Sequence, residues 1–475
     1  MINILGKEAI IYGVGHVLAR LIGFFLVPLF TNIFSQDEYG IITLIYVFIG
    51  FFTIAIHLGL DASLLKYYKN DDSNKKLYLT NTYIPVLIIN ILFFAFCFLL
   101  RDYLALPLFG LNDSFIFLMV ALVLFFDVLW AMPMVLLRLN NKPIQFISYN
   151  LINVLSNLFC IYLFVTIYNM GVWGVVLSNL VASGLLFIIT LSPIIKSLSL
   201  KLIDKNVFKK VVRFGFPLAF AGIFSMIIEL SDRYIIKLIF DTDYVGLYNA
   251  GYKLGALMLL IVMAFNMAWQ PFFLNKKNHN KELIGSISNS MFLFFSVVCF
   301  FIICFGQPLA SIKVFGYSFV GEGFIDGISV LPWICAGYLF HAAYILQLPG
   351  AYITNNTISV AKIRGVGALS NVVLNFILIP SLGIQGAAIS TFISFVLISV
   401  LLFIHNKRIY PVKYNMYSVC VLIGTLIALI GVIGHNPSFL MRLLIFISLI
   451  FWLFVVRVIN RDSLVLIKSF IKKDS

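Results

Sequence analysis

Residues 214–255 read FGFPLAFAGIFSMIIELSDRYIIKLIFDTDYVGLYNAGYKLG. This is an apolar stretch of membrane length, yet it carries Glu229, Asp232, Arg233 and Lys237, and the segment that follows carries Lys253. A charge at the centre of a bilayer costs at least ~2.5–3.5 kcal/mol, so such charges normally face a protein interior or a wet cavity. The stretch therefore implies helices packed around one another within a membrane. It also marks where function is concentrated.

The rest of the chain agrees. Of 475 residues, 62% are hydrophobic and 11% are charged, and mean hydropathy is +1.05. Apolar runs long enough to cross a ~30 Å hydrocarbon core as helices recur from end to end. They lie at 8–33, 40–66, 79–100, 115–138, 144–168, 173–195, 212–240, 247–273, 284–305, 328–349, 359–380, 384–404, 415–434 and 439–457. The fold class expected is an all-α polytopic membrane protein of about 14 spans with little mass outside the bilayer. The opening segment, MINILGKEAI, shows no signal-peptide cleavage pattern, so the first span is expected to be retained.

The net charge of +14 raises the question of nucleic acid. Most Lys and Arg residues fall in alternate inter-span segments, such as 196–213 and 457–473, with few opposite. That is the positive-inside pattern, and it places both termini in the cytoplasm with no nucleic-acid partner implied. The six cysteines all sit in apolar runs without CxxC or metal-ligand spacing, so they read as buried small hydrophobes.

The chain also repeats itself. Ile33-Phe34-Ser35-Gln36-Asp37-Glu38-Tyr39-Gly40 resembles Ile239-Phe240-Asp241-Thr242-Asp243-Tyr244-Val245-Gly246, at an offset of 206. Leu108-Phe109-Gly110 matches Val314-Phe315-Gly316 at the same offset, and Asn140-Asn141 matches Asn355-Asn356. Leu155-Ser156-Asn157 matches Leu369-Ser370-Asn371, and Gly171-Val-Trp-Gly174 matches Gly383-Ile-Gln-Gly386. An even number of spans per copy gives both copies one orientation, related by an axis along the membrane normal. Parallel repeats of this kind are a transporter architecture with the site near the midplane. The expected organisation is a six-helix bundle at 1–196, a cytoplasmic linker at 197–211, a second bundle at 212–405, and two extra helices with a tail at 406–475. The segment 196–213 reads as a basic amphipathic helix lying on the inner leaflet.

Further polar residues lie inside spans. His16 and Arg20 are four apart in span 1, and His57 and Asp61 four apart in span 2, each pair expected on one helical face. Asp127 lies near the centre of span 4, and His341 and Gln347 lie in span 10. Alternatives stay open for several. His341 reads as an interhelical hydrogen bond, His57–Asp61 as a structural pair, Glu229–Arg233 as an internal salt bridge, and Lys237 as snorkelling outward. Arg20, Arg233, Lys237 and Lys253, with His16, are the candidates for holding an anionic group such as a pyrophosphate in a central cavity. Glu229, Asp232, Asp127, His57 and Asp61 are the candidates for coupling or gating by an ion. No P-loop, GxSxG or HExxH pattern is present, so no nucleotide, cofactor, metal or catalytic centre is implied.

One set of motifs carries a resemblance. Pro217, Asp232-Arg233-Tyr234-Ile235-Ile236, Val245-Gly246-Leu247-Tyr248 and Ala250-Gly251-Tyr252 are followed by Phe315-Gly316, Asn375-Phe-Ile-Leu-Ile-Pro380 and Gly383-Ile-Gln-Gly386-Ala-Ala. In this order they resemble Wzx-type O-antigen and polysaccharide flippases, of the multidrug/oligosaccharidyl-lipid/polysaccharide exporter superfamily. The resemblance implies alternating access and no enzymatic activity. It implies movement of undecaprenyl-pyrophosphate-linked oligosaccharide from inner to outer leaflet of a bacterial inner membrane. Energy is expected from an H+ or Na+ gradient, and membrane lipids and a polysaccharide polymerase machinery are the expected partners. The competing readings are a drug/cation antiporter of the same superfamily, a peptidoglycan-precursor flippase and, from another class, a membrane polysaccharide polymerase or glycosyltransferase. Short outer segments oppose the last.

Overall fold

With no water in a hydrocarbon core, every backbone N–H and C=O must find a partner inside the chain, and helices do this locally. The structure, a computed structural model, describes residues 24, 26–68, 74–275, 278–314, 317–354 and 356–459, and it is helical almost throughout. The chain is an all-α multi-pass membrane protein. Among the described residues twelve helices are long and apolar enough to span a membrane, and Phe439–Val455 is a shorter apolar one. Each of these matches an expected span; the first expected span lies mostly outside the described residues.

Contacts divide the chain into two units. The first takes in residues 34–246. It holds α1 (Gln36–His57), α2 (Leu60–Tyr68), α3 (Lys75–Phe109), α4 (Ser114–Leu139), α5 (Pro143–Ile161, continued by a π turn Tyr162–Ile167), α6 (Gly171–Ser197) and α7 (Lys205–Ile239), with the first turn of α8 (Thr242–Gly255). Ser35 caps α1 through a capping box with Glu38, and Asp113 and Asp204 cap α4 and α7 by accepting from two backbone N–H groups each. On α3, Ile88, Leu92, Phe96 and Leu99 form an exposed apolar stripe, the face that lipid covers.

Two expectations change here. His57 and Asp61 do not share a helical face. Leu58 and Gly59 take left-handed backbone angles (φ 48° and 71°), ending α1 at His57 and starting α2 at Leu60. Gly59 is required there, because a side chain would strike the carbonyl of Gly215 on α7. The linker is also not one separate helix: Leu200–Leu202 is a single short turn. Asp204 starts α7 at Lys205, so the basic residues 205–213 are simply its first turns. The short link before it is tied to α3. Asn81 donates to Leu202 O at 2.7 Å and accepts from Asp204 N at 2.9 Å.

The second unit takes in residues 24–33 and the chain from 247 on. It holds the rest of α8, then α9 (Leu257–Leu274), α10 (Lys281–Ala310), α11 (Leu331–Ile353), α12 (Thr357–Leu382), α13 (Ile384–Ile409), α14 (Met416–Ile433) and α15 (Phe439–Val455). A two-stranded hairpin, β1 (Lys313–Val314) and β2 (Tyr317–Ser318), lies between α10 and α11. Thr31 and Asn32 dock on this hairpin and the segment after it. Gly321 N donates to Thr31 Oγ1 at 2.9 Å, and Asn32 donates to Ser318 O at 2.7 Å. Contact thus groups the chain differently from sequence similarity: α7 heads the second copy of the repeat but packs in the first unit. Five cysteines are buried as expected, whereas Cys420 on α14 is exposed, since α14 has neighbours on one side only.

Candidate functional site

The repeated motifs pack against each other. A Cβ on Gly40 would lie 1.8 Å from Thr242 O, and one on Gly246 would lie 2.0 Å from Gln36 O. Gln36 and Thr242 are repeat equivalents, as are Gly40 and Gly246, so the two helix starts cross as a symmetric pair. Only glycine allows backbones this close. Thr242 Oγ1 also donates to Asp37 Oδ1. A second crossing, Gly59 against Gly215, is fastened by Ser63 Oγ donating to Val211 O at 2.7 Å. The first crossing holds the start of α8 on the start of α1, and the second holds α7 on α2.

The charged run is fixed on α7. Asp232 and Arg233 are buried, and Arg233 Nη1 lies 2.6 Å from Asp232 Oδ1. The same nitrogen donates to the backbone carbonyl of Glu229. The guanidinium is therefore matched by the adjacent carboxylate and a carbonyl, which removes its net charge from the apolar helix. One turn on, Lys237 donates to Leu106 O at 2.8 Å and to Pro107 O at 2.5 Å. Its ammonium caps the C-terminus of α3, where orphan carbonyls and the helix dipole favour a cation. Glu229 is half-buried on α7, and Lys253 half-buried on α8 in the second unit.

Of the other expected residues, His16 and Arg20 lie outside the described residues. His57 is buried, its Nδ1 2.5 Å from Thr53 O, and no ion pair joins it to Asp61 at the start of α2. Asp127 stands at the heart of a polar centre built by four helices. Its Oδ1 accepts from Ser183 Oγ at 2.6 Å and from Trp130 Nε1 at 2.9 Å. Beside it Asn157 donates to Asn179 Oδ1 at 3.1 Å, and Asn179 donates to the Tyr46 hydroxyl at 2.7 Å. No ion pair joins Asp127 to any described residue.

Sequence reading singled out Asp127 but not Tyr46, Trp130, Asn179 or Ser183. Neutral polar residues in spans carry no energetic alarm of their own. Asn157 stood out only as part of a repeated Leu-Ser-Asn motif. In the second unit Arg442 is buried and donates to Gln307 Oε1 at 2.6 Å, Pro437 O at 2.9 Å and Cys304 O at 3.2 Å, anchoring α15 on α10.

Comparison with known proteins places this geometry. Residues 5–277 match a family described as polysaccharide biosynthesis protein. Over 196 residues the chain is 24% identical to a Shigella flexneri protein called "Putative O-antigen transporter", a match covering 41% of this chain and 46% of the other. Over 276 residues it is 22% identical to a Haemophilus influenzae membrane protein described as uncharacterized, covering 57% of this chain and 65% of that one. The chain thus spans less than two thirds of the length of these relatives. Among solved structures, the fold resembles the lipid II flippase MurJ in an inward closed conformation, with a TM-score of 0.74 and 17% identity over 98% of this chain and 99% of that one. It also resembles an inward-facing multidrug resistance MATE family transporter of the MOP superfamily, with a TM-score of 0.65 and 13% identity over 82% and 93%. At these identities the likeness is one of fold.

Proposed function

The chain belongs to the polysaccharide biosynthesis protein family, and we propose from that premise that it is a flippase for lipid-linked oligosaccharide. In this reading undecaprenyl-pyrophosphate carrying an O-antigen or capsule repeat unit moves from inner to outer leaflet of a bacterial cytoplasmic membrane. Movement is by alternating access, both termini are cytoplasmic, and an ion gradient supplies the energy. The observation that carries the reading is the buried Asp232–Arg233 couple within the apolar α7. The couple is neutral while closed, so in this reading Arg233 turns its fork to a pyrophosphate only when its contact with Asp232 opens, which is the gating role given to Asp232. Arg20, Arg233 and Lys253, with His16, are assigned to the head group. Lys237 is assigned to fixing the end of α3. Glu229, Asp232, His57 and Asp61 are assigned to gating, the last two flanking the break between α1 and α2.

The test is surface polysaccharide in a strain whose own copy is deleted, with expression matched. Arg20→Glu, Lys253→Glu and the doubly neutral Asp232→Asn/Arg233→Gln are compared singly with the parent. Loss of surface polysaccharide in them is expected. Full function in all three overturns the cationic head-group site, and drug resistance in place of polysaccharide export overturns the substrate class.

A further inference from the structure

The repeat aligns one place inside each unit. Helix α4 ends at a C-cap Asn140 and α11 at Thr354, and α5 begins at Pro143 and α12 at Thr357. Both pairs are separated by 214 residues, the same offset that relates Asn157 to Asn371. In this register Asp127 corresponds to His341 and Trp130 to Tyr344. The offset of 212 that relates Gly174 to Gly386 pairs Asn179 with Thr391 and Ser183 with Phe395.

The contacts repeat as well. Asn157 donates to Asn179 in the first unit, and Asn371 to Thr391 at 3.5 Å in the second. Where Ser183 donates to Asp127, Phe395 stands edge-on to the His341 ring with centroids 4.9 Å apart. One place in the fold thus holds a carboxylate fed by donors in the first unit, and an imidazole walled by aromatic rings in the second.

We propose that the Asp127 centre is the proton-binding site through which this protein is coupled to a proton gradient. The proposal rests on the transporter reading above for its consequence, though not for its test. An ionised carboxylate at this depth, with no cation among the described residues bonded to it, is costly, and taking a proton relieves that cost. The step is complete in itself: the carboxylate gains one O–H bond and no other reactant is needed.

The neighbours favour a proton over an alkali cation. A hard cation seeks a shell of oxygens, whereas the Trp130 indole is a donor only and occupies the carboxylate directly. Among the described residues the polar groups bonded in the site are Tyr46 on α1, Trp130 on α4 itself, Asn157 on α5, and Asn179 and Ser183 on α6. From α3, Asn90 donates to Phe125 O one turn away, and Tyr83 packs against Leu129 and Met132. His57 lies about three turns along α1 from Tyr46. Asn157 Oδ1 is buried without a hydrogen-bond partner, an acceptor kept within the cluster. Protonation weakens the charge-assisted bonds from Ser183 and Trp130. The contact between α4 and α6 then changes strength with the proton.

Because Trp130 touches the carboxylate, its fluorescence reads the site without substrate. The purified full chain in lipid nanodiscs is titrated between about pH 4 and pH 9, a range that brackets carboxyl and imidazole titration. The expected result is a one-proton transition in tryptophan emission that is absent in Asp127→Asn and in Trp130→Phe. It is retained in His341→Gln and moved to another midpoint in Asp127→Glu. No transition in the parent overturns the proposal, as does an unchanged transition in Asp127→Asn. An emission change driven by sodium at fixed pH replaces the proton by an alkali cation. If the titration stands but no lipid-linked oligosaccharide moves, the substrate reading fails and the proton site remains.

Discussion

The substitution Gly246→Ala probes the crossing between the starts of α1 and α8. The new methyl carbon would sit 2.0 Å from Gln36 O, where ordinary contact begins at 3.4 Å, so the backbone at the start of α1 must retreat by roughly 1.4 Å in a close-packed region. A backbone carbonyl cannot swing aside as a side chain can. Overpacking of this kind costs ~1–3 kcal/mol and sometimes more. The same retreat stretches the bond from Thr242 to Asp37, a charge-assisted one worth ~1.5–3 kcal/mol. Against this, alanine in a helix gains ~1 kcal/mol over glycine. The balance is a loss of about 3 kcal/mol, which at ~2–4 °C per kcal/mol lowers the unfolding temperature by about 6–12 °C. A thiol-reactive dye measures it, since five of the cysteines are buried; Cys420 is replaced by alanine to silence the exposed one. Gly424→Ala, with nothing within 4 Å of its added carbon, is the control. Equal unfolding temperatures for Gly246→Ala, Gly424→Ala and the parent would refute the crossing.

Other consequences can be checked in the same preparation. Asp232→Asn alone leaves Arg233 buried without its carboxylate and should cost ~3–5 kcal/mol, whereas adding Arg233→Gln should recover part of that, as a thermal double-mutant cycle will show. Lys237→Met leaves the carbonyls of Leu106 and Pro107 unmet, a loss of ~1–3 kcal/mol, and should speed hydrogen exchange at the end of α3. Arg442→Met removes the two bonds that anchor α15 on α10 and the one to Pro437 O, and should raise protease cutting at 434–438 with little change elsewhere. Ser63→Ala, which loses only the bond to Val211 O, should cost about 1 kcal/mol by the same unfolding assay.

Fold class was legible because hydropathy acts locally: apolar runs form helices on their own, and the structure places helix at each expected span it describes. The break after His57 was not legible. It depends on Gly59 meeting Gly215, 156 positions away in the chain, and a Leu-Gly pair within an apolar run announces no turn. The fate of Arg233 was legible only as a choice. Spacing offered Glu229 four residues back, whereas the guanidinium also takes the carboxylate next door and the carbonyl of Glu229. Lys237 shows the same limit, because its carbonyl partners belong to α3. The Asp127 centre divides cleanly. Its single charge was conspicuous, and the neutral groups that surround it became visible only through the register of the repeat.

The central claim is that the protein moves a polyprenyl-pyrophosphate oligosaccharide between leaflets. It is tested most directly in proteoliposomes carrying a fluorescent undecaprenyl-pyrophosphate oligosaccharide, with a membrane-impermeant quencher reporting the outward-facing pool. Protein-dependent loss of the quencher-protected fraction is expected, slowed in Asp232→Asn/Arg233→Gln. A protected fraction that is the same with the protein, without it and in the variant would contradict it.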